Sequence, residues 1–384
     1  MAAGGGGGNT YIGFLLGGGA MVAGGTFGHE ALPTWAVGAL LGLGGLLVVF
    51  GSCEAMIKSV EGIGERLDWN TFVAGTMAGL ASNVPEIVML AFVLAKEPRV
   101  GFIVTMLTLH VGALAFGLYS ALLPRDERGA ARLPEPLVKL STDLFAAAAA
   151  TFLGTGLLML MMNTFDAGAH RGEGLGAADL FVLGGALLFV EAVALWQLVT
   201  QFADDDDVDL AKSAKDKPGW GGIAAFGLLG VVTSVVGGHA VGDFADILVT
   251  GLTAMGVSEM LGAIILSVFA AAGALVMIVT SHAKGRYDIA LANASGQINQ
   301  VPFVVLPISL ILIGVFGVTG VVDADASGGL LPIDLETTSV VLLAFPPMLI
   351  LWKAVQDDGK VNWVETASMV AVFSLGMYFL AVHG

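Results

Sequence analysis

Apolar runs of about twenty residues recur from one end of the chain to the other, each closed by a short charged or Gly/Pro-rich break. Twenty helical residues rise about 30 Å, the thickness of a bilayer's hydrocarbon core, so the pattern predicts membrane-crossing helices. Ten spans are expected, at 36–57, 71–95, 101–123, 139–162, 178–200, 221–242, 259–282, 288–318, 334–353 and 362–382. A polar stretch, QFADDDDVDLAKSAKDKPG at 201–219, parts the first five from the last five. Within residues 1–35 a Gly-rich start precedes a further apolar segment around Tyr11–Ala23. No Lys or Arg stands before that segment, as one would before a secretory signal, and an extra helix is expected there.

Basic residues test this layout, because cytoplasmic loops carry the excess of Lys and Arg. If the chain enters its first span from outside, the inside loops hold Lys58, Arg66, Arg125, Arg128, Arg132, Lys139, Lys212, Lys215, Lys217, Lys284, Arg286, Lys353 and Lys360. That is 13 of the 16 basic residues, with Lys96, Arg99 and Arg171 left outside. A miscounted span would exchange inside for outside partway along and even out the totals. Five is odd, so the second set of spans enters the membrane in the opposite sense to the first. The expected architecture is an all-α polytopic membrane protein of two inverted five-helix repeats, 36–200 and 220–384, around a cytoplasmic linker at 201–219. Secondary transporters are built this way, with an ion site near the midplane at the repeat interface.

Composition agrees. With 56% hydrophobic and 12% charged residues and a mean hydropathy of +0.86, the chain lacks the polar surface of a soluble domain. The expected surroundings are the lipid bilayer of the cell membrane. The single cysteine, Cys53, excludes an intrachain disulfide and a Cys-based metal site. A net charge of −16, few lysines and the run Asp204–Asp207 read as the solvent face of a halophilic protein, or as a single solvated acidic loop. No basic stretch interleaved with aromatics points to nucleic acid. No P-loop, Gly-x-Ser-x-Gly or His-Glu-x-x-His motif is present, so neither an enzyme nor a cofactor is expected.

The chemistry lies inside the spans. Residues 79–90, GLASNVPEIVML, set a proline beside a carboxylate in the second one. Pro85 removes a helical donor and kinks or breaks the helix, freeing a carbonyl that must find another partner. Glu86 is costly in lipid unless it faces a cavity or a cation. Ser82 and Asn83, one turn earlier, add neutral oxygens, and hard cations such as Na⁺ and Ca²⁺ take all-oxygen cages. Glu191, in LLFVEAVALW, is the other deeply placed acid. Glu54 and Asp143 lie in other spans, while Asp243, Asp246, His239 and His282 read as ordinary residues near helix ends. His110 in the third span is a candidate proton carrier, since imidazole titrates near neutrality, or equally a hydrogen-bonded packing residue.

Residues 43–86, LGGLLVVFGSCEAMIKSVEGIGERLDWNTFVAGTMAGLASNVPE, resemble the first repeat of the calcium/cation antiporter superfamily. That superfamily includes the sodium/calcium and calcium/proton exchangers. The SNVPE motif combines the Pro-Glu of the first branch with the Asn-x-x-Glu of the second. Residues 285–307, GRYDIALANASGQINQVPFVVLP, are similar to the eighth helix of calcium/proton exchangers, with Gly296, Gln300 and Pro307 holding the family's places. The resemblance implies ten core helices with the second and seventh broken, and alternating access that couples cation export to Na⁺ or H⁺ uptake. It also implies one acidic ligand from each repeat.

The chain departs from that pattern. Aligned on Asp288 and Gln300, the second repeat sets Ala270, Ala271, Gly273 and Ala274 opposite Ser82, Asn83, Pro85 and Glu86, so the partner acid is missing. In the third span the family's Gly-Ser-Asn becomes Thr108-Leu109-His110, and in the eighth Gln297 replaces a serine, with Asn299 nearby. One carboxylate among neutral amides suits a single positive charge better than Ca²⁺, whose desolvation calls for more countercharge. The expected cation ligands are Glu86, Asn83, Ser82, Gln297, Gln300 and Asn299, with Pro85 as helix break and His110 and Glu191 as candidate proton relays. Three functions follow: an antiporter exporting a cation against Na⁺ or H⁺, a monovalent cation/proton antiporter that has lost calcium binding, or a non-transporting sensor or scaffold. Ca²⁺, Na⁺ and H⁺ are the candidate transported ions. A membrane-impermeant maleimide tests the layout in a Cys53→Ser background. Glu97→Cys should label in intact cells and Ser213→Cys only after the membrane is opened; the reverse pattern would invert the topology.

Overall fold

The computed structural model describes residues 10–67, 69, 71–133, 135–165, 174–202, 217–283, 285, 287–324, 328–356 and 359–383. Among them, ten helical stretches are long and apolar enough to cross a membrane. The helices are α1 Thr10–Phe27, α2 Thr34–Leu67, α3 Thr71–Lys96, α4 Pro98–Ser120, α5 Glu135–Phe165 and α6 Ala177–Phe202, followed by α7 Trp220–Ala254, α8 Glu259–Ala283, α9 Tyr287–Gln300, α10 Leu306–Thr319, α11 Leu335–Leu342, α12 Phe345–Gln356 and α13 Trp363–His383. A π-helical turn, Val301–Val305, joins α9 to α10. Two short strands, β1 Ala131–Arg132 and β2 Lys360–Val361, pair antiparallel. Residues 203–216, which are most of the expected linker, lie outside the described residues, as do Arg171, Lys284 and Arg286.

Local chemistry sets several helix ends. Pro98 opens α4 at a position where its missing N–H has no intrahelical bond to lose. Asp334 and Thr337 form a reciprocal capping box at the start of α11. Gly320 closes α10 with φ 73°, left-handed backbone that a side chain would strain.

The structure differs from expectation in four places. The expected break at Pro85 is absent: α3 runs from Thr71 to Lys96 with the proline inside it. A single lost donor leaves the rest of the ladder intact, and membrane helices tolerate such a site when neighbours satisfy the freed carbonyl. The seventh span, α8, is also unbroken; Ala270, Ala271 and Ala274 stand where the resemblance calls for the second motif, and alanine is the best helix former. The eighth and ninth spans are instead the interrupted ones, at Val301–Val305 and at Leu343–Ala344. Finally, α7 continues to Ala254, so Asp243 and Asp246 are not at its end. Asp243 lies 3.1 Å from His239 one turn away, and Asp246 is exposed.

The chain forms two compact units that each draw on both halves of the sequence: Met1–Phe92 with Ala192–Gly251, and Val93–Glu191 with Leu252–Gly384. The first is packed on glycine. A Cβ placed on Gly18 would meet the Gly44 carbonyl at 2.7 Å, so α1 lies backbone to backbone on α2. Likewise Gly45 would meet the Gly237 carbonyl at 3.0 Å and Gly237 the Gly45 carbonyl at 3.1 Å, fixing α2 on α7. Met89 and Phe92 of α3 press on Gly238 and Gly242 of α7. Small residues at such crossings permit the close dispersion contacts that hold membrane helices together.

The second unit is built around α4, which is buried along nearly its whole length and packs against α8, α9, α10, α11 and α13. Its two ends are tied by arginines. Arg99 reaches Glu259 (3.3 Å), Asp334 (2.9 Å) and Glu336 (2.7 Å), joining the first turns of α4, α8 and α11. Arg125 donates to the carbonyls of Ser120, Gly129 and Val361 and to Thr366 Oγ1, and stacks 3.8 Å over the Trp363 ring. Gly45→Leu should destabilise the protein by about 1–3 kcal/mol through overpacking. Gly13→Leu, where nothing lies within 4 Å, should be neutral. Thermal unfolding in detergent measures both; equal effects would refute the α2–α7 contact.

Candidate functional site

In the first unit the polar positions gather around Glu86. The residue is 7% exposed, and its Oε1 has no hydrogen-bond partner. Asn83 and Pro85 are buried and Ser82 is half-buried. Ser82 Oγ donates to the Gly79 carbonyl at 2.6 Å, and the Ser82 carbonyl accepts from the Cys53 thiol of α2 at 3.5 Å. Pro85 cannot supply the N–H that an α-helix gives the Ala81 carbonyl. Nearby on α2 and α7, Ser52 Oγ lies 2.8 Å from the Val48 carbonyl and 2.7 Å from Thr233 Oγ1. These hydroxyls were not among the candidates from sequence. The signal was present in the Gly-Ser-Cys triplet at 51–53, since polar groups inside a span mark a face that is not turned to lipid.

In the second unit α9 carries two polar faces. Asn293, Gln297 and Gln300, spaced by four and three residues, share one of them. Gln297 is 4% exposed, lies against Gly112 of α4, and bonds through neither Oε1 nor Nε2. The Gln300 amide lies beside Gly296, its nitrogen 3.6 Å from where a Cβ would begin. Asn299 turns the other way, donating to Ser141 Oγ of α5 at 2.8 Å, with its Oδ1 unbonded. Immediately afterwards the helix widens: the Leu306 N–H bonds to the Val301 carbonyl five residues back. Pro302 and Pro307 cannot donate to the Ile298 and Phe303 carbonyls, which makes the wider turn the available one. Single π turns of this kind recur at functional sites. Across from the turn, Thr105 Oγ1 of α4 and Ser309 Oγ of α10 lie 3.3 Å apart in full burial.

His110 does not join Gln297. Thr105, Thr108 and Gly112 share one face of α4, and a residue two positions from Gly112 is rotated by about 200°. The imidazole accordingly lies toward α13, 3.9 Å from where a Gly376 side chain would begin. Glu191 is 8% exposed with Oε2 unbonded, on a helix whose neighbouring Phe189 and Val193 face outward. Among the described residues, Glu86 and Glu191 are the buried carboxylates. Ala274 is half-buried in α8, and no group of three His, Cys, Asp or Glu side chains that could hold a metal occurs among the described residues.

Residues 223–382, from α7 through α13, match the sodium/calcium exchanger protein family. Solved cation exchangers share the fold of nearly the whole chain. The H⁺/Ca²⁺ exchanger CAX superposes with a TM-score of 0.64 at 13% identity, covering 97% of this chain and 91% of that one. The Ca²⁺/H⁺ antiporter protein YfkE gives 0.64 at 14% identity over 98% and 100% of the two chains. The sodium–calcium exchanger NCX_Mj gives 0.54 at 14% over 89% and 98%. No protein of curated function matches the chain by sequence. The sequence match falls on the half of the chain in which Ala274 stands opposite Glu86.

Gln297 tests the site through stability. A buried amide without partners costs about 1–3 kcal/mol, so the near-isosteric Gln297→Met should raise the unfolding temperature. A fall would mean that the amide is bonded.

Proposed function

We propose that this chain is a secondary active cation antiporter, exporting a cation against Na⁺ or H⁺ by alternating access, with Glu86 as principal ligand. The observation that carries this reading is a buried carboxylate with one oxygen unbonded, one residue past a proline that frees a carbonyl. A carboxylate there cannot stay charged and alone, because nothing in a low-dielectric interior replaces its water. A metal cation or a proton can compensate it, and the two exclude each other. Each state of the protein then carries one or the other across, which couples their fluxes. Ser82 and Asn83 supply neutral oxygens in the first unit. Gln297, Gln300 and Asn299 supply amide oxygens in the second, and Glu191 is the candidate for a second proton-accepting group.

Charge counting favours a monovalent cation exchanged for protons as the second reading. The calcium exchangers named above are similar in fold, but this chain has Ala274 where the resemblance calls for a second glutamate. We place the chain in the cell membrane with repeats at 36–200 and 220–384 and a cytoplasmic linker at 201–219.

Reconstituted proteoliposomes test the proposal, with Ca²⁺ or Na⁺ set against an opposing Na⁺ or proton gradient. Wild type should exchange, and Glu86→Gln should abolish the exchange. Ca²⁺ movement lost in the mutant selects calcium exchange with one carboxylate, and Na⁺/H⁺ exchange without Ca²⁺ selects the monovalent reading. Flux of neither kind that depends on Glu86 refutes the assignment.

A further inference from the structure

Cys53, the one cysteine of the chain, is buried in α2 as a free thiol. It reaches across to α3 and donates to the Ser82 carbonyl at 3.5 Å. In an α-helix that carbonyl is the one bonded by the N–H four residues on, which belongs to Glu86. The sulfur therefore sits on the rung from which Glu86 leaves the helix. Side chains lean back over the turn before their own Cα, so the Glu86 side chain covers this same turn. The second sign of a ligand is the carboxylate itself, 7% exposed and with Oε1 bonded to nothing.

Charge decides what such a pair can hold. A divalent cation taken out of water calls for more countercharge than the single one Glu86 supplies. A thiol supplies a second when a metal displaces its proton, because the thiolate is the form that binds metal. Cys53 thus restores in number the charge that is lost at Ala274. Sulfur is also selective: soft thiolate favours zinc-like ions, whereas Ca²⁺ and Mg²⁺ take oxygen. One cysteine cannot build a thiolate cage, and two ionisable ligands are fewer than a structural metal site has. The remaining positions fall to oxygens already at hand, the Ser82 carbonyl and the Ala81 carbonyl that Pro85 leaves without its N–H. A cage this open suits an ion that has to leave again.

We propose that Cys53 and Glu86 together form a binding site for a thiophilic divalent cation, of the class of Zn²⁺ and Cd²⁺. As the ion enters, the Cys53 S–H bond breaks and a bond from Sγ to the metal forms. The thiol proton passes to water, as does the proton of Glu86 where it carries one, and no electron is transferred. The Ser82 carbonyl, released from the thiol, faces the ion. This rests on the reading of Glu86 as a cation ligand and adds the chemical class of the cation, with Cys53 as the residue that sets it.

The test is ultraviolet absorption of the purified full-length protein in detergent, titrated with Cd²⁺, whose bond to a thiolate gives a charge-transfer band that bonds to oxygen do not. With one cysteine in the chain, any such band belongs to Cys53. Wild type should show the band and Cys53→Ser should lack it. Glu86→Gln should weaken Cd²⁺ binding by at least about tenfold, since even an outer-shell partner of a metal contributes that much. No band in folded wild type overturns the proposal. So does a band whose Cd²⁺ affinity is unchanged in Glu86→Gln, which would be a thiol binding the metal alone. If Cys53→Ser does not fold, Cys53→Ala takes its place. Flux through proteoliposomes keeps the two readings apart. A Glu86-dependent band without Glu86-dependent flux of any ion leaves the metal site standing and removes the antiporter, whereas Na⁺ or Ca²⁺ flux that depends on Glu86, without the band, does the reverse. Where both hold, Cd²⁺ should compete with the transported ion in wild type and lose that competition in Cys53→Ser.

Discussion

Everything polar in this molecule answers to the absence of water around its helices. In lipid a backbone carbonyl without a donor is a liability of several kcal/mol, so an ordinary span spends every one of its hydrogen bonds on itself. Proline is the residue that breaks that closure. Pro85, Pro302, Pro307, Pro346 and Pro347 deny donors to Ala81, Ile298, Phe303, Leu342 and Leu343. The buried side chains proposed as ligands stand beside these places: Glu86 beside the first, Gln297 and Gln300 beside the second pair. The interior oxygens that could bind a cation or a proton are thus set by where the helical ladder was opened.

Much of the frame could be read from the chain itself, because span length and the sidedness of Lys and Arg are both fixed by the bilayer. Glu86 was legible for the same reason, as a charge placed where charge is expensive. What escaped was governed by local backbone geometry. Pro85 and Pro302 look alike in sequence, yet α3 stays α-helical through the first while the chain widens into a π turn at the second, where another proline follows five residues on. The Pro346–Pro347 pair did announce the interruption at Leu343–Ala344, but hydropathy alone ran a single span across it. The ends of α2 and α7 were drawn too short because Lys58, Asp243 and Asp246 were taken as boundaries, whereas helices continue beyond the hydrocarbon layer.

The candidate site was legible as a set of residue types but not as an arrangement. Asn299 is two residues from Gln297 and so turns to Ser141 on α5, while Gln297 turns to Gly112 on α4. His110 is separated from the Gln297 side of α4 by the same half-turn. Helical angle decides these partnerships, and it is available from the numbering once the helices are known. Ser52 and Thr233 were missed because hydroxyls bonded to their own helix leave little trace in hydropathy, although in space they meet at 2.7 Å.

The contact between Gly45 and Gly237 has a mechanical consequence. Interdigitated side chains lock two helices in register like gear teeth, and displacing one of them means forcing rotamers past one another. At this crossing the teeth are valines set into the glycine notches: Val241 of α7 comes within 2.8 Å of the Gly45 Cβ position, and Val49 of α2 within 3.0 Å of that of Gly237. Sliding α2 along α7 would drive those methyls out of their notches and into the next turn of backbone. The crossing that allows the closest approach therefore also sets the axial register, a keyed joint and not a bearing.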